Sequence, residues 1–91
     1  MSTVTQNLPV TLADGTAGSV LFTAGQGIAV SKHEELCGRI SDAELSEFAA
    51  RRNGAMELAA QIEEMLGQRA LTTASQDALM DFAYRWFEKY F

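Results

Sequence analysis

The sequence is poor in several residue types, and each shortage argues against a class of protein. Its single cysteine, Cys37, rules out an internal disulfide and is typical of a reducing compartment, so we expect a cytoplasmic location. No apolar run approaches the roughly 18 residues that cross a bilayer. No basic segment followed by an apolar one indicates a secretory signal. We therefore expect a soluble chain without a membrane contact.

Basic residues are also scarce. Seven lysines and arginines stand against twelve aspartates and glutamates, which gives a formal net charge of −5 over 91 residues. A chain of this charge repels a phosphate backbone, so we expect no direct binding to nucleic acid. A basic protein surface, such as that of a nucleic-acid-binding host protein, is the partner that this charge favours.

The residues that could hold a metal are too few for a structural site. His33 is the single histidine and lies four residues before Cys37, so the two share a face if the segment is helical. A structural zinc site needs four ligands. We therefore interpret Cys37 as a small buried thiol and His33 as a residue that caps a helix. A metal-dependent regulator that uses this pair stays open as a third class of function.

Two other patterns fall short of a cofactor or catalytic motif. Gly25-Gln26-Gly27 has Val30 where a dinucleotide-binding loop has its third glycine, and we interpret it as a hairpin turn. The adjacent carboxylates of Glu34–Glu35 and Glu63–Glu64 point about 100° apart on a helix, so neither pair converges on one substrate atom. The sequence predicts a protein that is not an enzyme and binds no cofactor.

Charge divides the chain into two parts. Residues 1–31 carry a single charged residue, Asp14, whereas residues 32–91 carry all the others. We predict an α+β fold in which a small antiparallel β-meander packs on a C-terminal helical hairpin. The prediction places one domain over 1–91, about three strands within 7–31, and helices over about 42–66 and 74–91.

Alternating apolar residues indicate strands near 7–12, 18–23 and 28–31. Two three-residue loops, Asp14–Thr16 and Gly25–Gly27, keep the apolar side chains on one face of the sheet. These loops pair Val10 with Val20, Leu8 with Phe22 and Phe22 with Val30. Pro9 donates no ladder hydrogen bond, which favours an edge position for the first strand.

Capping patterns indicate where helices begin. Ser31–Glu34 predicts a short helix that ends near Cys37, and Ser41–Glu44 predicts the start of a long one. Asn53-Gly54 interrupts the long helix. Because the apolar stripe, which includes Met56, keeps its phase across the interruption, we favour one kinked helix over two separate ones.

Six of the eight aromatic residues lie in the last ten positions. The side chains of Tyr84 and Phe91 point away from those of Leu79 and Trp86 on a helix, so the domain core alone is not expected to cover every aromatic ring. Aromatic residues of this kind serve as interface anchors, and acidic residues of the long helix can steer a basic partner. The candidate partner-binding residues are Tyr84, Trp86, Phe87, Tyr90, Phe91, Glu57, Glu63 and Glu64.

These observations favour a non-enzymatic protein–protein interaction module. Small size, acidic charge and the lack of catalytic motifs are typical of proteins encoded by phages or mobile elements that bind and block a host protein machine, anti-CRISPR inhibitors among them. The alternative is a structural subunit of a homo-oligomeric assembly, such as a virion component, or a dedicated chaperone. In that case the aromatic residues would contact further copies of the chain.

Overall fold

The computed structural model describes residues 4–67 and 70–91, and in these ranges a four-stranded antiparallel sheet is followed by three helices. The strands lie in the sheet in chain order, so the predicted α+β class with a β-meander is confirmed, with one strand more than expected. The elements are β1 (Thr5–Thr11), β2 (Ala17–Thr23), β3 (Gly27–Lys32), β4 (Glu35–Ile40), α1 (Asp42–Ala49), α2 (Gly54–Leu66) and α3 (Thr73–Tyr90).

The first two loops have the predicted length but begin one residue earlier than predicted. Leu12 N–H donates to the carbonyl oxygen of Thr16 at 2.8 Å, which makes 13–15 the first loop. Gly15 takes the left-handed position of that loop with φ 88°. Leu8 consequently pairs with Val20. The predicted pairing was therefore wrong by two residues, an error that leaves every side chain on the expected face because strands have a period of two.

The second loop shows the same displacement. Thr23 pairs with Gly27 and Phe22 with Ile28, so the loop is 24–26 and the predicted pairing of Phe22 with Val30 is wrong. β1 lies at one edge of the sheet, as Pro9 indicated, and β4 lies at the other.

The short helix predicted over residues 31–37 is wrong, because the segment forms a β-hairpin. His33 and Glu34 have φ values of 52° and 66° and form the two-residue turn between β3 and β4. Paired left-handed residues match the twist of adjoining strands, although asparagine and glycine are the usual occupants. Ile40 of β4 is buried in the core. Burial and ladder hydrogen bonds thus outweigh the local capping pattern.

The prediction of one kinked helix over 42–66 is also wrong, because α1 ends at Ala49 and α2 begins at Gly54. Gly54 packs so tightly on the last turn of α1 that a Cβ at this position would overlap the carbonyl oxygen of Phe48. The other helix boundaries agree with the sequence. Ser41 Oγ accepts from the Glu44 amide at 3.2 Å, and Gly67 ends α2.

The core lies between one face of the sheet and the three helices. Its largest fully buried side chains come from both layers: Phe22, Ile40, Leu45, Leu58, Ile62, Leu79, Val20 and Val30. The opposite face of the sheet is open, and Leu21 and Leu36 lie exposed on it. Within residues 4–67 and 70–91, no helix is long and apolar enough to span a membrane.

Candidate protein interaction surface

The start of α3 is tied to the sheet, and this fixes which of its faces points outward. Thr72 caps the helix, since its Oγ1 accepts from the Ser75 amide at 3.2 Å. The Thr11 amide donates to Ser75 Oγ at 2.9 Å, and the Thr72 amide donates to the Thr11 carbonyl at 3.0 Å. These hydrogen bonds at the end of β1 fix the rotational orientation of α3 about its own axis.

One side of α3 is occupied by the core. Trp86 is 3% exposed, and its ring centroid lies 5.3 Å from that of Phe22. The ring of Phe82 also packs on that of Phe22, with centroids 4.7 Å apart. The Tyr90 ring packs against that of Trp86 in a tilted arrangement, with centroids 4.2 Å apart, and Tyr90 is partly buried. The structure therefore places Trp86 in the core and Tyr90 at its edge, although both were predicted to contact a partner.

An adjoining side of α3 carries rings that the core leaves uncovered. Tyr84 is 58% exposed and Phe91 is 47% exposed. Phe87 lies beneath them, buried, with its ring 6.1 Å from that of Phe91 in an edge-to-face arrangement. The division that the sequence predicted, with Tyr84 and Phe91 outside the core, is thus present in the structure.

The uncovered rings belong to a larger apolar surface at the connection between α1 and α2. A shallow depression of about 430 Å³ lies there, and a smaller one of about 230 Å³ adjoins it along Ala49 and Phe87. Met56 of α2 is 58% exposed at this place, although the sequence puts it on the apolar stripe of the predicted long helix. We name this surface the aromatic patch, which consists of Met56, Met80, Tyr84, Phe87 and Phe91.

Charged residues of both signs surround the aromatic patch. Arg51, Arg52 and Glu88 line the larger depression. Arg51 lies over the Phe48 ring at 5.6 Å and pairs with the Glu57 carboxylate at 3.6 Å. The rim therefore carries two cations and two anions, in contrast to the net charge of −5 of the whole chain.

The predicted acidic residues do not form one surface. Glu63 accepts a hydrogen bond from Gln76 Nε2 at 2.7 Å and so belongs to the contact between α2 and α3. Glu57 and Glu64 are exposed, and because they are seven residues apart they share a flank of α2. We name these two residues the acidic flank. Glu57 also pairs with Arg51, so the acidic flank begins at the rim of the aromatic patch and continues along α2 to Glu64.

The residues considered for metal binding lie apart from the aromatic patch. His33 is in the β3–β4 turn and Cys37 is exposed on β4, where it occupies an irregularity in the pairing. The prediction of a buried thiol was therefore wrong. In the part of the chain that the structure describes, no group of three or more histidine, cysteine, aspartate or glutamate residues is placed to hold a metal ion.

The fold lowers the pKa of Asp14. The hydrogen bonds that its carboxylate accepts from Thr16, one of them from the Thr16 amide to Oδ1 at 2.9 Å, hold the pKa of Asp14 below its ordinary value of 3.8. Asp14 is fully exposed in the first loop, far in sequence from the aromatic patch. We therefore assign this shift to the stability of the turn.

Sequence reasoning missed Met56, Arg51 and Arg52 as members of the surface. These residues join Tyr84 and Phe91 only because the chain breaks between α1 and α2, and a continuous helix would have carried them elsewhere. The Asn53-Gly54 pair was the signal that could have indicated this break.

Comparison of the chain with protein-family models, with curated proteins and with solved structures finds no match. The function of the chain must therefore be inferred from the geometry and the charges of the surface.

Proposed function

We propose that the protein is a non-enzymatic protein–protein interaction module and that the aromatic patch is its contact surface. The observation that carries this proposal is the exposure of Tyr84 and Phe91 on a helix whose neighbouring rings form the core. Aromatic side chains in such a position can bury a large apolar area against a partner at little cost in conformational entropy, and they dominate the binding energy of many interfaces.

The size of the exposed apolar surface supports an interface of moderate strength. Taking roughly 200–250 Å² for a whole large side chain, the exposed fractions of Met56, Tyr84 and Phe91 leave about 350 Å² in water. Patches of about 300–600 Å² on monomers are often functional. Burying this area is worth about 9 kcal/mol before the cost of association, which is about 4–15 kcal/mol. Contacts of the charged rim must therefore add to the binding free energy.

The particular module that we propose is a small acidic inhibitor of the kind encoded by phages or mobile elements, which binds and blocks a host protein machine in the manner of anti-CRISPR proteins. Its size and its net charge of −5 support this proposal. The acidic flank supports it further, because Glu57 and Glu64 are exposed and can steer association with a basic, nucleic-acid-binding host protein.

A subunit of a homo-oligomeric assembly is the second candidate. The observation that favours it is the equal number of cations and anions on the rim of the aromatic patch, since a balanced surface can meet its own copy without net repulsion.

Capture of a binding partner by matched variants tests the proposed contact surface. Tyr84→Glu places a charge at the centre of the aromatic patch, and Leu36→Glu places the same charge on an equally exposed apolar residue of β4. We expect Tyr84→Glu to lose the protein that the wild type captures from a host lysate and Leu36→Glu to retain it. Equal capture by both variants would show that the aromatic patch is not the interface.

A further inference from the structure

We propose that the aromatic patch binds a second copy of this chain and forms a two-fold dimer in which the two α3 helices run in the same direction. This inference rests on the proposed function, because it requires that the aromatic patch is an interface. It goes further by naming the partner and the orientation in which the partner binds.

The distribution of charge carries the choice of partner. Two copies of a chain with a net charge of −5 repel each other over most of their surfaces. At the aromatic patch, Arg51 and Arg52 oppose Glu57 and Glu88, so this surface is locally neutral. Arg51 and Glu57 pair within the chain, which leaves Arg52 and Glu88 to meet charges on a partner. A second copy brings the same balanced set, and each charge can meet its opposite.

The spacing along α3 supports helix-to-helix contact. Met80, Tyr84, Phe87 and Phe91 follow one another at intervals of four, three and four residues. This is the apolar repeat of two helices that pack along a shared seam. Tyr84 and Phe91 project from this seam into solvent, whereas Phe87 and Met80 are more deeply packed. A neighbouring helix could therefore insert side chains between the two projecting rings.

The two sides of this seam differ in charge, and the difference determines the orientation. One side adjoins the α1–α2 connection with Arg51 and Arg52. The other side carries Glu88, which lines the same depression, and Asp81, which lies seven residues before Glu88 and pairs with Arg85 at 3.2 Å. A two-fold axis along α3 brings the basic side of each copy against the acidic side of the other. An axis across α3 would bring like charges together instead.

The parallel arrangement also matches positions along the helix. Arg52 and Glu88 line the same depression, so an axis along α3 brings Glu88 of one copy towards Arg52 of the other, and the reciprocal pair forms by symmetry. The aromatic patch supplies about 350 Å² of apolar area from three side chains, less than the roughly 800 Å² that each partner buries in a standard interface. We therefore expect a concentration-dependent dimer.

Sedimentation equilibrium of the purified chain over a wide concentration range tests the dimer itself. We expect the mass to rise from that of a monomer to that of a dimer and to stop there. Tyr84→Glu is expected to stay monomeric at concentrations at which wild type and the matched Leu36→Glu variant are dimeric. Circular dichroism spectra and urea unfolding of all three proteins establish that each variant is folded before its mass is interpreted.

A charge exchange between Arg52 and Glu88 tests the orientation. Arg52→Glu and Glu88→Lys should each weaken dimerisation by about tenfold or more, since each makes two like-charged contacts in the parallel dimer. The double variant Arg52→Glu/Glu88→Lys should restore the wild-type dissociation constant. Single variants that keep the wild-type affinity, or a double variant that does not restore it, would overturn the proposed orientation.

The failure of this inference can be distinguished from that of the proposed function. A wild-type chain that stays monomeric at every concentration overturns the dimer. If Tyr84→Glu still abolishes capture of a different protein while Leu36→Glu does not, the aromatic patch remains an interface with a heterologous partner. If neither dimerisation nor capture depends on Tyr84, both proposals are wrong.

Discussion

Gly54 lies directly against the carbonyl oxygen of Phe48, and this contact joins α2 to the last turn of α1. The chain turns sharply here, with the Arg51 amide donating to the Phe48 carbonyl at 3.1 Å and the Gly54 amide donating to the Arg51 carbonyl at 3.2 Å. The same turn presents Arg52 and Met56 beside α3. One close backbone contact therefore assembles the aromatic patch.

Substitution of Gly54 by alanine should destabilise the fold, because the added Cβ overlaps backbone that cannot move without separating α1 from α2. We expect a loss of about 2 kcal/mol or more in the free energy of unfolding, measured by urea denaturation. Ala60→Gly, an exposed change in the same helix, is the control and should cost about 1 kcal/mol through helix propensity. A Gly54→Ala variant as stable as the wild type would contradict the observed contact.

Truncation of Trp86 should destabilise the fold strongly and truncation of Tyr84 only slightly, although the sequence suggested one role for both residues. Trp86→Ala removes a buried ring that contacts Phe22 and is expected to cost about 3–5 kcal/mol of unfolding free energy. Tyr84→Ala removes an exposed ring and should change stability by about 0.5 kcal/mol or less. Thermal unfolding of the two variants measures the difference. Similar losses would show that Tyr84 is part of the core.

The fold class could be predicted because its signals are local. The alternation of apolar residues in β1 and β2, the capping by Ser41 and the stop at Gly67 each depend on a few neighbouring residues, and each agrees with the structure. The register was missed by two residues because three-residue loops with a glycine fit at either of two starting positions. Only the geometry at Gly15 decides between them.

The helix break and the fourth strand were missed because competing local patterns favoured helix: the apolar stripe that continues past Asn53-Gly54, and the capping pattern at Ser31–Glu34. His33 and Glu34 adopt left-handed conformations that neither favours alone, and pairing of β3 with β4 stabilises them. The aromatic patch follows from the break at Gly54. Its rings were therefore recognisable in the sequence, whereas the arginines and Met56 that surround them were not.

The carboxylate of Asp14 should titrate below its ordinary pKa of 3.8, because hydrogen bonds from Thr16 stabilise its charged form. The folded-state pKa is depressed, so the contribution to stability is fully present above the unfolded-state value and is lost as the pH falls through the folded-state value. The amide proton of Thr16, followed by NMR during acid titration, reports the midpoint. A midpoint at or above 3.8 would show that the hydrogen bonds are absent in solution.

Charge reversal at the acidic flank should slow association with a basic partner without changing the contact surface. Glu64→Lys changes the net charge by two units at an exposed position outside the rim, whereas Glu57 pairs with Arg51 on the rim and is left unchanged. Because long-range attraction accelerates encounter and is screened by salt, the association rate constant should fall by about threefold at low ionic strength and converge with the wild type at high ionic strength.

Surface plasmon resonance at several salt concentrations measures this effect, once a captured partner is available. Leu36→Glu, whose β4 position lies outside the acidic flank, is the control and should keep the wild-type rate and salt dependence. Dissociation rates should be unchanged in both variants, because long-range charge attraction changes the association rate whereas contacts of the aromatic rings set the dissociation rate. An association rate that is independent of Glu64 would remove the acidic flank from the proposed function and leave the aromatic patch as its sole support.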